Sequence, residues 1–81
     1  MKVRMLFFAA LADAIGARDM DVDLADGATV SDAIETVAAM HPDVAPMLTS
    51  VAGAVNEAYV PRTSELRDSD VLALIPPVSG G

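Results

Sequence analysis

The last six residues are the part of this chain whose residue types best suit chemistry. They read Pro76-Pro77-Val78-Ser79-Gly80-Gly81. Proline cannot continue a sheet ladder, so the pair should direct the residues after it away from the folded body. Glycine has no Cβ, so an extended Gly-Gly can enter a channel too narrow for other residues. The pattern predicts a flexible tail at 76–81 that presents the carboxylate of Gly81 to the active site of another protein.

The carboxylate of Gly81 is a poor electrophile and needs activation before it can react. An ATP-using partner would first convert it to an acyl-adenylate, and sulfide from a donor enzyme would then displace AMP and leave a thiocarboxylate. This is covalent catalysis with the reactive group on a tether. The alternative is a frayed terminus, because many chain ends are small and mobile. The combination of Pro-Pro, one apolar residue and Gly-Gly favours the first interpretation, in which the tail carries sulfur on Gly81.

Conventional catalytic side chains are scarce. There is one His, one Tyr and no Cys, so neither a catalytic triad nor a zinc–thiolate site can be assembled. His41 is interpreted as a helix-end residue before Pro42. Asp19, Asp21 and Asp23 alternate along a predicted strand and indicate a charged outer face, not a metal site. We predict no metal and no bound cofactor, with ATP used only by the activating partner.

Length and composition indicate one small globular domain. The 81 residues carry 53% apolar residues and a formal net charge of −7. Such a surface repels nucleic acid and anionic lipid and favours basic protein surfaces.

The N-terminal segment, basic and then apolar, superficially looks like a signal peptide, but Val3, Met5 and Phe7 alternate with Lys2 and Arg4 as in a strand. No stretch is long enough to cross a bilayer, and the lack of cysteine suits a cytoplasmic protein.

The spacing of apolar residues predicts seven elements in the order β, short α, β, long α, β, β, β. Thr29 with Asp32 resembles the capped start of the long helix. The predicted bounds are strands at 2–8, 18–24, 51–55, 58–60 and 71–75, and helices at 9–15 and from 30 to His41. Residues 45–50 are predicted as a connector that can contain a helical turn. The economical packing is an α+β fold in which a mixed five-stranded sheet covers one main helix. Its first and last strands would lie parallel at the centre, in a domain of residues 1–75.

The chain resembles the small, sulfur-carrying subunit of molybdopterin synthase, one of the ubiquitin-like sulfur carriers. The resemblance rests on Val3-Arg4-Met5-Leu6-Phe7-Phe8-Ala9, Thr29-Val30, Val55-Asn56 and residues 66–81, of which the tail is the most diagnostic. It implies a β-grasp fold, activation by an adenylating E1-like enzyme, and docking into a larger catalytic subunit as a heterotetramer. It also implies donation of sulfur to a cyclic pterin phosphate, with two loaded carriers consumed per product.

Three positions depart from the family pattern. Where relatives usually read Asp-Gly-Asp-Glu, this chain has Asp68-Ser69-Asp70-Val71. Ser69 must therefore occupy a turn position often held by glycine, and Val71 replaces a surface acid. Ile75 stands where relatives often carry an aromatic residue. These changes could alter partner choice, but they leave the tail untouched.

One helix can cover only one face of the sheet, so the other face should carry an apolar patch. Such patches usually mark binding sites. The predicted partner-binding residues lie on adjacent strands, with Tyr59 added by the family resemblance: Leu6, Phe8, Tyr59, Val71, Ala73 and Ile75. The alternative is that the helix at 9–15 or a loop covers this patch.

Three other functions share some of these features. A sulfur carrier for thiamine thiazole or another sulfur-containing product would have the same tail and fold, although the thiazole-pathway carriers are typically shorter and lack the early helix. A ubiquitin-like modifier would join Gly81 to lysines on targets. A non-covalent adaptor would make no use of its tail.

Overall fold

The computed structural model describes residues 1–77. The tail residues Val78, Ser79, Gly80 and Gly81 lie outside the described part, so the predictions made for them stay predictions. The elements are β1 (Lys2–Phe7), α1 (Ala9–Ile15), β2 (Asp19–Asp23), α2 (Val30–Met40), a 3-10 helix (Pro42–Thr49), β3 (Ala52–Val55), β4 (Ala58–Val60) and β5 (Val71–Ile75).

The strands form a five-stranded sheet in the order β2-β1-β5-β3-β4. β1 and β5 pair in parallel at its centre, and the other neighbours are antiparallel. β2 and β4 stand at the edges of the sheet. β4 has only three residues, and on β2 the three aspartates are exposed while Val22 is buried. The predicted mixed sheet with parallel first and last strands is confirmed.

The core lies between one face of the sheet and α2. Alternation along β1 buries Val3, Met5 and Phe7, and alternation along β5 buries Leu72 and Leu74. Against them packs the apolar stripe of α2, which comprises Val30, Ala33, Ile34 and Val37. At roughly 25 cal/mol per Å² of apolar surface, this burial is the main term that stabilises so small a domain.

α2 begins and ends where the sequence indicates. The Asp32 N–H donates to the Thr29 hydroxyl oxygen, and the Thr29 N–H donates to the Asp32 carboxylate, which completes a capping box. At the other end the His41 N–H donates to the Val37 carbonyl, and Pro42 follows. His41 is thus a helix-end residue, as predicted.

The connector predicted at 45–50, which can contain a helical turn, falls within the 3-10 helix Pro42–Thr49 up to Thr49, and Ser50 is the C-cap of that helix. Pro42 suits a first helical position, but Pro46 has no N–H to donate, so a regular α-helical ladder cannot run through the segment. Val44 and Leu48 are both buried, which fixes the segment against the core. The strands predicted at 2–8, 18–24 and 51–55 each lose one or two terminal residues, a difference typical of frayed ends.

The Phe8 end of β1 is shortened because the backbone changes direction there. Phe8 is the N-cap of α1, and its carbonyl accepts from the Leu11 N–H. α1 ends at Gly16, whose φ of +83° is the left-handed stop predicted from the sequence.

Ser69 occupies a left-handed backbone position, with φ of +71°. Its N–H donates to the Lys2 carbonyl, so the turn before β5 cannot relax without loosening the start of β1. A residue with a Cβ is strained in this region by about 1–2 kcal/mol, whereas glycine is not.

We therefore expect Ser69→Gly to raise the free energy of unfolding by roughly 0.5–1 kcal/mol in urea titrations, the strain relief being partly offset by the greater freedom of glycine in the unfolded chain. Ser69→Ala, which keeps the Cβ, is the matched control and should not stabilise. Equal stability of the glycine and alanine variants would show that backbone strain at Ser69 is negligible.

Candidate functional site: an apolar groove beside the tail

The open face of the sheet carries a continuous row of side chains across four strands. Leu6 on β1 pairs with Ala73 on β5, Ala73 pairs with Ala54 on β3, and Ala54 pairs with Tyr59 on β4. Residues opposite each other in register share a face. The fold thus brings together residues that are distant in the chain.

A groove of about 640 Å³ lies along this row. All six side chains predicted for the patch line it, namely Leu6, Phe8, Tyr59, Val71, Ala73 and Ile75. Three further residues line it that the sequence reasoning missed: Ala54, Asn56 and Glu57. Period-two alternation along residues 51–55 could have predicted that Ala54 lines the groove. Asn56 and Glu57 lie in a turn, so their position at the groove depends on how the chain folds there and not on alternation.

The alternative that α1 covers this face is wrong. α1 buries Leu11 in the core and packs against the 3-10 helix. Tyr59 remains 72% exposed and Phe8 46% exposed, and Leu6, Val71, Ala73 and Ile75 are only partly buried. Large apolar side chains in a partly open groove leave a surface that association with another protein would bury.

The turn between β3 and β4 is tied to the start of β5. Asn56 and Glu57 adopt positive φ values of 49° and 75°, the backbone of a tight hairpin turn. The Asn56 side chain donates to the Asp70 carboxylate at 3.1 Å and accepts from the Val71 N–H at 3.1 Å. Asp70 also accepts from the Arg67 N–H at 2.8 Å. This network fixes one end of the groove.

Among residues 1–77, the ion pair on the open face lies on its β2 side. Arg4 Nε donates to Asp21 Oδ1 at 3.1 Å. The hydrogen bond and charge of Asp21, with a smaller contribution from Asp19, raise the pKa of the Arg4 guanidinium above its ordinary value. Arg4 therefore stays charged beside the end of the groove that holds Val71, with which it pairs in register.

Residues 1–77 contain neither a group of metal-ligating side chains nor a helix that could span a membrane. No group of three or more His, Asp or Glu side chains in this part lies close enough to hold a metal ion. No helix there has the length and apolar character needed to cross a bilayer.

The groove and the start of the tail share one end of the sheet. Ile75 lines the groove, pairs with Ala52 as the last residue of β5, and is followed directly by Pro76 and Pro77. Phe8 lies at the same end, one residue beyond the Phe7–Leu74 pair. A protein seated on the groove would therefore lie next to the point where the C-terminal residues leave the domain.

Known proteins resemble the chain over its whole length. The model of the ThiS family matches residues 5–81. The molybdopterin synthase sulfur carrier subunit of Chlamydomonas reinhardtii is 35% identical over 100% of both chains. That of Dictyostelium discoideum is 32% identical and covers 96% of this chain and 94% of its own.

Solved structures agree with the fold. SAMP1 from Haloferax volcanii superposes with a TM-score of 0.88 at 29% identity and 100% coverage of both chains. A Pyrococcus furiosus protein, provisionally described as subunit 1 of a molybdopterin converting factor, gives a TM-score of 0.86 at 31% identity, covering 96% of this chain and 99% of its own. The fold is thus β-grasp and ubiquitin-like, and the chain belongs to the ThiS family.

Proposed function

We propose that this protein is the sulfur carrier of a molybdopterin synthase. The C-terminal carboxylate of Gly81 is adenylated by an ATP-using, E1-like enzyme. Sulfide supplied by a donor enzyme displaces AMP, and the resulting thiocarboxylate gives its sulfur to a cyclic pterin phosphate. The observation that carries this proposal is the Gly-Gly at the end of the short segment that follows the last strand of a β-grasp domain. Relatives that match this chain over nearly their whole length are named as molybdopterin synthase sulfur carrier subunits.

The groove on the open face is the docking surface for the large catalytic subunit. It is apolar, it is not covered by α1, and it ends at Ile75, where the tail begins. Seating a partner here would bury Phe8 and Tyr59 and would bring residues 76–81 to the partner's own active site. The net charge of −7 favours a partner with a basic rim around an apolar centre. The working assembly is a heterotetramer of two carriers and two large subunits in the cytoplasm.

The residue types of this chain indicate which parts of the reaction it supplies and which its partner enzymes supply. With no Cys and one His, it supplies no catalytic side chain of its own. The partners supply ATP activation, sulfur and the pterin site, and the carrier supplies a narrow backbone terminus that fits both active sites in turn.

Reconstitution tests this function. The carrier, the activating enzyme of the same cell, ATP, sulfide and the large subunit are combined with the cyclic pterin phosphate, and the dithiolene product is quantified. We expect product to form only when all components are present, and in proportion to half the amount of loaded carrier. Loading of the carrier with sulfur without any pterin conversion would instead favour a carrier for thiamine thiazole or another product.

A ubiquitin-like modifier is the second candidate. Small archaeal modifier protein 1 of Haloferax volcanii has the same fold. In that case Gly81 would be found in isopeptide bonds to lysines of cellular proteins, which digestion and mass spectrometry of the chain from its native cell would reveal.

A further inference from the structure

The turn between β3 and β4 holds a glutamate where its backbone favours glycine. Asn56 and Glu57 both have positive φ, as the two central residues of a type I′ turn do. Such turns favour Asn followed by Gly, because a residue with a Cβ is strained in the left-handed region and glycine is not. Glu57, with φ of +75°, therefore destabilises the backbone of the free domain.

The two turn residues differ in what offsets this strain. Asparagine tolerates the left-handed region better than most residues, and the Asn56 side chain is hydrogen-bonded to the Asp70 carboxylate and the Val71 N–H. The Glu57 side chain is exposed, and among residues 1–77 its carboxylate takes part in no ion pair. Contacts within the described part of the domain thus explain the asparagine but not the glutamate. Backbone strain of this kind is typical of functional sites.

Glu57 stands at the rim of the apolar groove. Of the nine residues that line the groove in the described part of the chain, it alone has a charged side chain. A carboxylate enclosed by a docked protein loses its water, and this is unfavourable unless the docked protein supplies a cation. Glu57 therefore makes the groove discriminate between partners that present a cation at this point and partners that do not.

The neighbour of Glu57 in the groove indicates which cation fits. Tyr59 follows two residues later, at most about 7 Å away between Cα atoms, and its side chain is largely exposed in the same groove. An arginine guanidinium is planar, so it can pair with a carboxylate through two hydrogen bonds and also stack on an aromatic ring. A lysine ammonium is a compact point charge and lacks this geometry. The two side chains together therefore suit an arginine.

We propose that Glu57 determines the specificity of the groove by pairing with an arginine of the large catalytic subunit, whose guanidinium lies flat on the ring of Tyr59. The inference rests on the proposed function, in which the large subunit docks at this groove. The apolar residues of the groove supply contact area, and Glu57 selects a partner with a cation at the β3–β4 turn. The net charge of −7 attracts such a cation from a distance.

Glu57→Gly tests the proposal because it should change stability and binding in opposite directions. Glycine relieves the strain of the turn, so we expect the equilibrium constant for unfolding, measured by urea titration, to fall by about 2- to 5-fold. Loss of the carboxylate should weaken binding of the large subunit by about 10-fold in isothermal titration at low salt. A glutamate that served the fold alone would not produce a more stable chain that binds less well.

Three further variants separate the charge from the backbone. Glu57→Gln keeps the side-chain size and the strained turn, so it should leave stability unchanged and lose affinity by about 10-fold, a loss that shrinks as salt is added. Ser69→Gly relieves strain outside the groove and should stabilise the chain without changing affinity. Glu65→Gln removes an exposed carboxylate outside the groove and should change neither property.

A double-variant cycle tests whether one guanidinium contacts both side chains. Tyr59→Leu keeps an apolar side chain but removes the flat ring, so it should lose part of the affinity. When Tyr59→Leu is combined with Glu57→Gln, the total loss should fall short of the product of the two single losses by at least about 3-fold. Single losses that simply multiply would overturn the shared contact.

Two results would overturn the inference while leaving the proposed function in place. One is equal affinity of the Glu57→Gly chain and the unchanged chain for the large subunit. The other is a Glu57→Gly chain that is no more stable than the unchanged one, since the glutamate would then not be strained. Failure of the unchanged chain to bind the large subunit at all would overturn both the inference and the proposed function.

Discussion

Adding one phenylalanine after Gly81 should abolish sulfur loading and pterin conversion while leaving the fold intact. The added residue replaces the Gly81 carboxylate by an amide and places a bulky side chain where the partner's channel would accept only glycine. No other group in the chain can substitute, because the sequence contains no Cys. In the reconstituted system we expect loss of at least about 1,000-fold, since the reacting atom itself is removed.

Two controls accompany this variant: the stability of its fold and the recovery of sulfur loading after the added residue is removed. The tail lies beyond the last strand, so urea denaturation of the extended chain should match that of the unchanged protein. Removing the added phenylalanine with a carboxypeptidase should restore loading. Full activity of an extended chain shown by mass spectrometry to be untrimmed would rule out a role for the Gly81 carboxylate.

Ile75→Asp should weaken binding to the large subunit without unfolding the domain. Ile75 is partly exposed in the groove at the end of β5, so the substitution leaves the core between β5 and α2 unchanged. An unpaired carboxylate buried in the complex costs about 2 kcal/mol or more, a loss of roughly 30-fold in affinity. Isothermal titration with the large subunit measures this loss directly.

Leu74 is the contrasting position on the same strand. It adjoins Ile75, but its side chain points to the opposite face of the sheet and is fully buried. Leu74→Ala should cost about 2–5 kcal/mol of unfolding free energy, a large part of the total for so small a domain. Thr63→Asp adds the same charge at an exposed position outside the groove and should leave affinity unchanged. Unfolding of Ile75→Asp, or equal affinity of the Ile75 and Thr63 variants, would contradict docking at the groove.

Most of the fold could be predicted because local patterns and tertiary packing agree. Alternation along residues 2–8 and 71–75 identified the central strands, and the pairing of Thr29 with Asp32 identified the start of α2. The type and bounds of the 3-10 helix at Pro42–Thr49 could not be predicted from local patterns, because two prolines and the burial of Val44 and Leu48 determine its backbone. Val44 and Leu48 do stand at helical spacing, but the two prolines argue against a regular α-helix there.

The candidate site could also be predicted only in part from the sequence. Six groove residues follow from period-two alternation and the family resemblance, because the open face is fixed once the core face is known. The contributions of Asn56 and Glu57 depend on the positive φ values of their turn and on the contacts of Asn56 with Asp70 and Val71. Those contacts join positions that are 14 and 15 residues apart, which spacing along the chain does not encode.

Intact mass spectrometry after loading tests the central claim most directly. The purified chain is incubated with its activating enzyme, ATP and sulfide, and its mass is compared with that of the starting protein. We predict an increase equal to the replacement of one oxygen by sulfur, assigned by fragmentation to Gly81. An unchanged mass under conditions in which the large subunit still converts the pterin, or sulfur carried on any other residue, would contradict the account.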